Sequence, residues 1–180
     1  MTVYTIGHST RTIEEFLSLL TDQSITSLVD VRAFPMSKRH PQFNRENLEA
    51  SLAAVGIAYR HVPELGGRRG ARRDHRSRNG LWRVEAFRHY ADYAETPEFA
   101  RALDELQSIA AERPTAFMCA EAVWWQCHRR LIADYMLARG WRVRHVMAPG
   151  KTTEAELTSG AVVHEDGTLS YPPAQPGLLD

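Results

Sequence analysis

The stretch "TAFMCAEAVWWQCHRRLIADYMLARGWRVRHVMAP", residues 115–149, decides the fold that we predict. It opens with a short apolar run, continues as a helix-forming segment that ends at Gly140, and closes with a second apolar run. A buried strand, a helix and a second buried strand in this order are typical of a parallel β-α-β unit. The same stretch holds both cysteines of the chain, Cys119 and Cys127.

The same alternation of strands and helices precedes this unit. Buried strands are predicted in "VYTIGHS", "SLVDVRAFP" and "IAYRHVPEL". Thr12 followed by Glu15 forms a capping box at the start of an amphipathic helix, and a second helix is predicted from Asn44 to Gly56. Two further helices are predicted in "LWRVEAFRHYADYAET" and in "EFARALDELQSIAAE" after Pro97.

The strands are continuous apolar runs, which favours a sheet that is covered on both faces. We therefore predict a single α/β domain over residues 1–150, with an open, mostly parallel sheet and helices on both faces. Five predicted strands are too few for an eight-stranded barrel. Residues 151–180 are expected to form a C-terminal extension with a small hairpin around "EDG" and a proline-rich tail.

Bulk composition limits the classes of protein that fit. A chain of 180 residues is long enough to bury a core of its own as one domain. Its apolar stretches fall short of the ~20 residues that a membrane span needs, so no membrane partner is expected. The start of the sequence lacks a basic leader with an apolar block, and two cysteines do not make a disulfide framework. We therefore expect a cytoplasmic, reduced protein.

The charge is balanced overall but unevenly distributed. Only Lys38 and Lys151 among the 22 basic residues are lysines, and eight arginines lie within residues 60–83. The segment "GGRRGARRDHRSRNGLWR", residues 66–83, is typical of a loop that orders on a polyanion such as a nucleic acid. A solvated loop in an arginine-rich protein explains the same composition. Both interpretations remain open at this stage.

Polar and reactive residues follow four of the predicted strands. Ligands of open α/β sheets bind at the carboxyl ends of the strands, so we expect these residues to share one cleft. They include His8 and Ser9 after the first strand, Asp30 and Arg32 at the end of the second, and Glu64 after the third. Cys119, Glu121, Cys127, His128 and Arg129 surround the turn from the fourth strand into its helix.

Five segments together are similar to one known family. "TIGHST", "LVDVRAFP", "HVPELGG", "CAEAVWWQCHRRLIADYML" and "VRHVM" resemble the domain-of-unknown-function 488 family, from about residue 3 to residue 148. The resemblance implies an α/β domain and supplies no agreed reaction.

Three chemistries fit the turn between the two cysteines. Cys119, Cys127, His128 and His8 are zinc-ligand types, but the C-x7-C-H spacing matches no usual zinc site and helix neighbours point apart, so no metal is predicted. Cys127 at a helix N-terminus is expected to be the more reactive thiol, because the helix dipole and an arginine lower its pKa.

The third chemistry is an anion pocket, made by the amides of this helix with Arg129, His8 and Arg32. Glu121 beside it is expected to act as a general base or to orient a histidine. A plain ion pair between Asp30 and Arg32, and Glu121 as a cap or as a partner of Arg129, are the structural alternatives.

The leading hypothesis is an enzyme, or an enzyme-derived sensor, that acts on a nucleotide or nucleic-acid substrate. The alternatives are a non-enzymatic binding or regulatory domain for a small anion, and a metal- or thiol-dependent redox protein. The sequence predicts no particular cofactor and no oligomeric state. The predicted catalytic residues are His8, Glu121, Cys127 and His128. The predicted substrate- or anion-binding residues are Ser9, Asp30, Arg32, Arg68, Arg69, Cys119 and Arg129.

Overall fold

A six-stranded sheet forms the centre of the computed structural model, which describes residues 1–174. Its strands are β1 (Thr2–Gly7), β2 (Ser27–Asp30), β3 (Ala58–His61), β4 (Thr115–Cys119), β5 (Arg142–Ala148) and β6 (Lys151–Glu154). Their order is β3-β2-β4-β1-β5-β6. The first five strands pair in parallel and β6 pairs antiparallel with β5. The sheet is therefore mostly parallel, as predicted.

Helices cover both faces of the sheet. They are α1 (Ile13–Asp22), α2 (Arg45–Ala54), α3 (Glu85–Ala94), α4 (Pro97–Glu112) and α5 (Arg129–Ala138). Side chains of α1 and α2 share one core cluster, and side chains of α3, α4 and α5 share the other. The single α/β fold class is thereby confirmed.

No helix within residues 1–174 combines the length and the apolar character needed to cross a membrane.

The central strands are apolar on both sides because each of their faces meets helices. All four residues of β2 and all five residues of β4 are buried. Leu28 and Met118 lie in the core under α1 and α2, whereas Val29 and Phe117 lie in the core under α3, α4 and α5. This two-sided burial explains why these strands read as continuous apolar runs.

The first helix begins at the predicted capping box. The side chain of Thr12 accepts a hydrogen bond from the amide of Glu15, and the Glu15 carboxylate accepts one from the amide of Thr12. Two amides that have no partner within the helix are satisfied in this way. The capping box therefore sets the residue at which α1 begins after the chain has left the carboxyl end of β1.

Residues 155–174 pack against α5 and against the arginine-rich segment. They include a small antiparallel hairpin of β7 (Val162–Val163) and β8 (Leu169–Ser170). Tyr171 is fully buried; its amide donates to Oδ1 of Asn79 and its hydroxyl donates to Asp134 on α5. Residues 175–180, which include part of the predicted proline-rich tail, lie outside the described residues.

Candidate functional site

An open cavity of about 780 Å³ lies at the carboxyl ends of β1, β2 and β4. It brings together most of the residues that the sequence analysis selected. Those that line it are His8, Ser9, Arg32, Arg68, Cys119, Glu121, Cys127 and His128. Asp30, Arg69 and Arg129 are not part of its lining.

The backbone of neighbouring strands sets the position of His8 beside Cys119. The β1–β4 ladder continues past the strand ends, since the His8 amide donates to the Cys119 carbonyl at 3.0 Å. The Ser9 amide donates to the carbonyl of Ala120 at 2.9 Å. Ser9 has a positive φ of 51°, and the chain turns there toward α1. Parallel pairing therefore places residues about 110 positions apart side by side.

The two cysteine sulfurs are in direct contact. Both side chains are buried, both thiols are free, and the Sγ atoms are 2.8 Å apart. Cys127 has extended backbone dihedrals, and α5 begins two residues later at Arg129. The helix begins two residues later than the sequence analysis placed it, and its first amide, that of Arg129, donates to Sγ of Cys127 at 3.5 Å. Because Cys127 lies before the helix, its side chain turns back toward the end of β4 and reaches Cys119.

Arg129 packs against the two sulfurs and donates hydrogen bonds to the groups around them. Its Nε donates to Sγ of Cys119 at 3.0 Å, and its Nη1 donates to Oγ1 of Thr5 at 2.8 Å. Its Nη2 donates to the carbonyl of Glu121. The residue is 1% exposed, and the ion pairs found among residues 1–174 do not include it.

A buried guanidinium without a carboxylate needs another source of negative charge. The nearest group that can supply it is the pair of thiols. Burial raises the pKa of Cys127, but the hydrogen bonds that it shares with Cys119 and His128, together with the charge of Arg129, outweigh this effect, so the pKa of Cys127 lies well below its ordinary value. The pKa of Cys119 is raised well above its ordinary value by burial and by its bond to Cys127. The pair therefore loses one proton easily and holds the second.

His128 is placed to receive a proton from Cys127. Its Nε2 lies 3.2 Å from the carbonyl of Val31, which can only accept, so Nε2 carries a hydrogen. In the neutral ring, Nδ1 is then a free acceptor, and it lies 3.5 Å from Sγ of Cys127. Gly67 passes so close that a Cβ there would lie 2.5 Å from this Nδ1 atom. Only glycine leaves room for the imidazole in this place.

His8 is buried and neutral near pH 7. Its Nδ1 donates to the carbonyl of Ser9 at 2.8 Å, and its ring stacks on Phe43 at 4.2 Å. Burial is the main cause that lowers its pKa to about 4, and the charge of Arg32 adds to the effect. Nε2 is therefore an acceptor, and it faces Nη1 of Arg32 at 3.5 Å. His8 is a weak base in this position.

Asp30 and Arg32 form the ion pair that the sequence allowed. Nη2 of Arg32 lies 2.6 Å from Oδ2 of Asp30, and Nε also donates to this carboxylate. Tyr59 donates its hydroxyl to Asp30, and Nη2 of Arg32 also donates to the carbonyl of Phe43. Asp30 is fully buried, and it positions Arg32 instead of lining the cavity. The remaining nitrogen of Arg32, Nη1, faces His8 on the side of the cavity.

The neighbouring arginines Arg68 and Arg69 point to different surroundings. Arg69 lies over the ring of Tyr93 at 3.7 Å and donates to the carbonyls of Pro63, Glu64 and Gly66. It fixes the local chain. Arg68 is exposed and lines the cavity. The arginine-rich segment thus offers one of this pair to a ligand.

The rest of the arginine-rich segment is attached to α3. Oδ1 of Asp92 accepts hydrogen bonds from Ser77 at 2.6 Å and from Asn79 at 2.7 Å. Nη1 of Arg72 donates to the carbonyl of Asp92. Arg73 and Arg76 are exposed between these attachment points. The segment is therefore held against α3 at several points.

Glu121 contributes mainly through its backbone. Its amide donates to Sγ of Cys119 at 3.3 Å and its carbonyl accepts from Arg129. Its side chain is exposed at the cavity and makes no ion pair among residues 1–174. Neither the predicted helix cap nor the predicted pairing with Arg129 is formed by the carboxylate.

Two polar residues of this site were missed by the sequence analysis. Thr5 and His145 lie in buried strands, and Oγ1 of Thr5 joins Nδ1 of His145 at 3.1 Å to Arg129. The ring of His145 stacks on Trp124 at 4.2 Å. Burial first, and Arg129 second, lower the pKa of His145 to about 3. Polar side chains inside otherwise apolar strands were the available signal for both residues.

The geometry also bears on metal binding. Ligand atoms of Cys119, Cys127 and His128 lie within 4.8 Å of one another. The sequence argument that Cys127 and His128 point apart is wrong, because both lie before the helix. Two zinc–sulfur bonds in a tetrahedral site nevertheless separate the sulfurs by about 3.7 Å. The observed 2.8 Å is shorter, and Arg129 already occupies one side of Cys119. The three residues would have to spread to hold zinc.

A second group of metal-ligand types is His75, Asp92 and Glu95. Its carboxylate oxygens already accept hydrogen bonds from Ser77, Asn79 and Arg78. These bonds account for the group as an anchor of the arginine-rich segment.

Comparison with known proteins gives one match. A family model described as "Domain of unknown function DUF488" matches residues 12–136, about two thirds of the chain. The match takes in β2 and both cysteines, and it begins after His8. No curated protein and no solved structure matches the chain. The family resemblance found in the sequence is confirmed.

Proposed function

The chain belongs to the DUF488 family, and we propose that it is a thiol-dependent enzyme in which Cys127 attacks a small phosphate-bearing substrate. The observation that carries the proposal is the contact between the two cysteine sulfurs beside the buried Arg129, which has no carboxylate partner among residues 1–174. Cys119 and Cys127 are both among the residues that line the cavity.

The groups around Cys127 meet the needs of a thiol nucleophile. A thiolate attacks and a thiol does not, so a nucleophilic cysteine needs a positive neighbour and a proton acceptor. The backbone amide of Arg129 donates to Sγ of Cys127, the charge of the Arg129 guanidinium lowers the pKa of that thiol, and Nδ1 of His128 is the acceptor at 3.5 Å. His8, with its pKa of about 4, is neutral at pH 7, and its unprotonated Nε2 faces Nη1 of Arg32.

Arginine and aromatic side chains on the cavity wall favour a phosphate-bearing substrate. Arg68 is exposed there, and Nη1 of Arg32 lies deeper beside His8. Guanidinium groups bind phosphate oxygens well. The ring of Phe34, which is 70% exposed and lies 5.9 Å from the Arg68 guanidinium, offers a face for a nucleobase. A nucleotide combines both features. A reducing compartment such as the cytoplasm would keep both thiols free.

Alkylation kinetics test the nucleophile. Wild type, C119S and C127S are treated with iodoacetamide across a pH series, and the modified sites are identified by intact mass. One fast site is expected, absent in C127S, with a pH midpoint below the ordinary value of about 8.5. If both cysteines react no faster than a free thiol, the enzyme proposal is wrong.

Protection by adenosine monophosphate tests the substrate class. The nucleotide should slow alkylation of the wild type, and R68A should need several-fold more nucleotide for equal protection. R101A, which removes an exposed arginine on α4, is the matched control. Nucleotide binding to a chain whose thiols are unreactive would favour a binding or regulatory domain instead.

A longer polyanion is a second candidate ligand, favoured by the exposed Arg73 and Arg76 on the same segment as Arg68. Phosphate contacts made by arginines weaken steeply with salt. Gel shifts with single-stranded DNA at two salt concentrations test this candidate. Binding that is lost in an R73A/R76A double variant and retained in R101A would support it, and no binding at low salt removes it.

A further inference from the structure

We propose that Cys119 and Cys127 form a dithiol pair that reduces phosphate-bearing organic disulfides: Cys127 attacks the substrate and Cys119 resolves the adduct. This inference rests on the proposed function for the identity of the nucleophile. It adds the reaction type and a role for the second cysteine.

The distance between the sulfurs is the first argument. A disulfide bond is about 2.05 Å long, and the Sγ atoms are already 2.8 Å apart, so they need to approach by less than 1 Å. The eight-residue separation is spanned by a loop with a single 3-10 turn, Trp124–Gln126. A short loop of this kind can absorb such a shift.

The unequal surroundings of the two sulfurs are the second argument. Cys127 has the proton acceptor His128 beside it, whereas Cys119 lies deeper, against Arg129 and the amide of Glu121. A resolving cysteine stays protonated until an adduct has formed on the first one. Its sulfur also has to lie within reach of the attacked atom, as Cys119 does.

The substrate is an organic disulfide, written here as R–S–S–R. The Cys127 thiolate attacks one substrate sulfur, the S–S bond breaks, and one RS⁻ leaves and takes the proton held by His128. Cys119 then attacks Sγ of Cys127, which breaks the mixed disulfide, and the proton of Cys119 passes to the departing sulfur, so that the second product leaves as RSH. The substrate gains two electrons, and the protein gains one disulfide. An external dithiol reduces this disulfide and returns the pair to its starting state.

Arg129 favours the return step. Its charge stabilises the reduced pair as a monoanion, and a disulfide has no charge to offer it. The bonds of the guanidinium to Thr5 and to the Glu121 carbonyl do not involve the sulfurs. The oxidised pair is therefore readily reduced by a small dithiol, which a recycling catalyst requires.

Intact mass after mixing with excess coenzyme A disulfide, whose thiol carries phosphates, tests the inference. C119S should gain one covalent coenzyme A group, and C127S should gain none. The wild type should lose two hydrogens and retain no adduct. With dithiothreitol present, the wild type should release coenzyme A over many cycles.

The outcomes separate this inference from the proposed function. A stable adduct on Cys127 of the wild type overturns the resolving role and leaves the nucleophile standing. Fast alkylation of Cys127 without any reaction with the disulfide overturns the reaction type alone. If neither reagent modifies Cys127, both proposals are wrong.

Oxidised glutathione, which carries carboxylates and no phosphate, tests the substrate class. Coenzyme A disulfide should react several-fold faster than glutathione disulfide. R68A should remove most of this preference, and R101A should keep it. Equal rates for the two disulfides in the wild type would overturn the phosphate-bearing class.

Discussion

Gly7 lies so close to Glu121 that a Cβ on Gly7 would be 1.8 Å from the Glu121 carbonyl oxygen. The same carbonyl accepts a hydrogen bond from Arg129. The end of β1, the loop after β4 and the start of α5 are thus packed together without room for one additional carbon atom.

Replacement of Gly7 by alanine should therefore destabilise the protein strongly. The Glu121 backbone would have to move and the Arg129 bond would be lost, at a cost on the order of 3 kcal/mol. Urea denaturation measures the change. The control is G70A, because a Cβ at Gly70 meets no atom within 4 Å. Equal stability of the two variants would contradict the packing described here.

Replacement of Arg129 by methionine should raise the pKa of Cys127 toward that of a free thiol. The methionine fills similar volume and removes the charge next to the sulfurs. The pH dependence of alkylation and the ultraviolet absorbance of the thiolate report the shift. R129K should retain part of the effect. R130M is the control, since Arg130 lies next in sequence and donates to Thr158. An unchanged midpoint in R129M would show that the thiolate has another source of stabilisation.

Replacement of Gly67 by alanine should slow the reaction of Cys127 at neutral pH and leave the fold intact. The new Cβ would displace the His128 imidazole, a side chain that can rotate, from its place near the sulfur. The alkylation rate should fall several-fold, and the circular dichroism spectrum should stay that of the wild type. G70A again serves as the control. A normal rate in G67A would argue against His128 as the proton acceptor.

Acid should destabilise the protein through its two buried histidines. The folded pKa is about 4 for His8 and about 3 for His145, against about 6.5 in an unfolded chain. The unfolded state therefore binds more protons below pH 6.5, and the free energy of unfolding falls as pH falls toward the folded values. Each histidine contributes a slope of about 1.4 kcal/mol per pH unit in that window.

The variant H145Q should lose one of these two contributions. Its free energy of unfolding, measured by urea titration between pH 8 and pH 5, should depend less on pH than that of the wild type. The amide can still bond to Thr5, so the variant is expected to fold. A wild-type pH dependence in H145Q would mean that His145 is not the group that titrates.

Much of the fold was predictable because local patterns and packing agree. Thr12 and Glu15 form a capping box that predicts the start of the first helix. The apolar runs of β2 and β4 predict strands that are buried on both faces of the sheet. The meeting of His8 with Cys119 also follows from the rule that parallel strands end at one edge of the sheet. A pattern that repeats along the chain is enough for each of these conclusions.

The details of the site depend on backbone conformations and side-chain orientations, which the pattern of apolar and polar residues in the sequence does not determine. Cys127 has an extended backbone conformation just before α5. This conformation brings its sulfur into contact with the sulfur of Cys119. Arg68 and Arg69 are adjacent, yet only Arg68 faces the cavity, because the ring of Tyr93 and three carbonyls hold Arg69. Such contacts form between segments far apart in sequence, and composition does not rank them.

The bond from the Tyr171 amide to Asn79 has a consequence for synthesis of the chain. Asn79 anchors the segment that presents Arg68, and 92 positions separate it from Tyr171. A ribosome completes the first five strands well before it releases residue 171. Nascent chains halted before that point should hold the arginine-rich segment only through its contacts with α3, and this segment should then be more sensitive to protease than in the full chain.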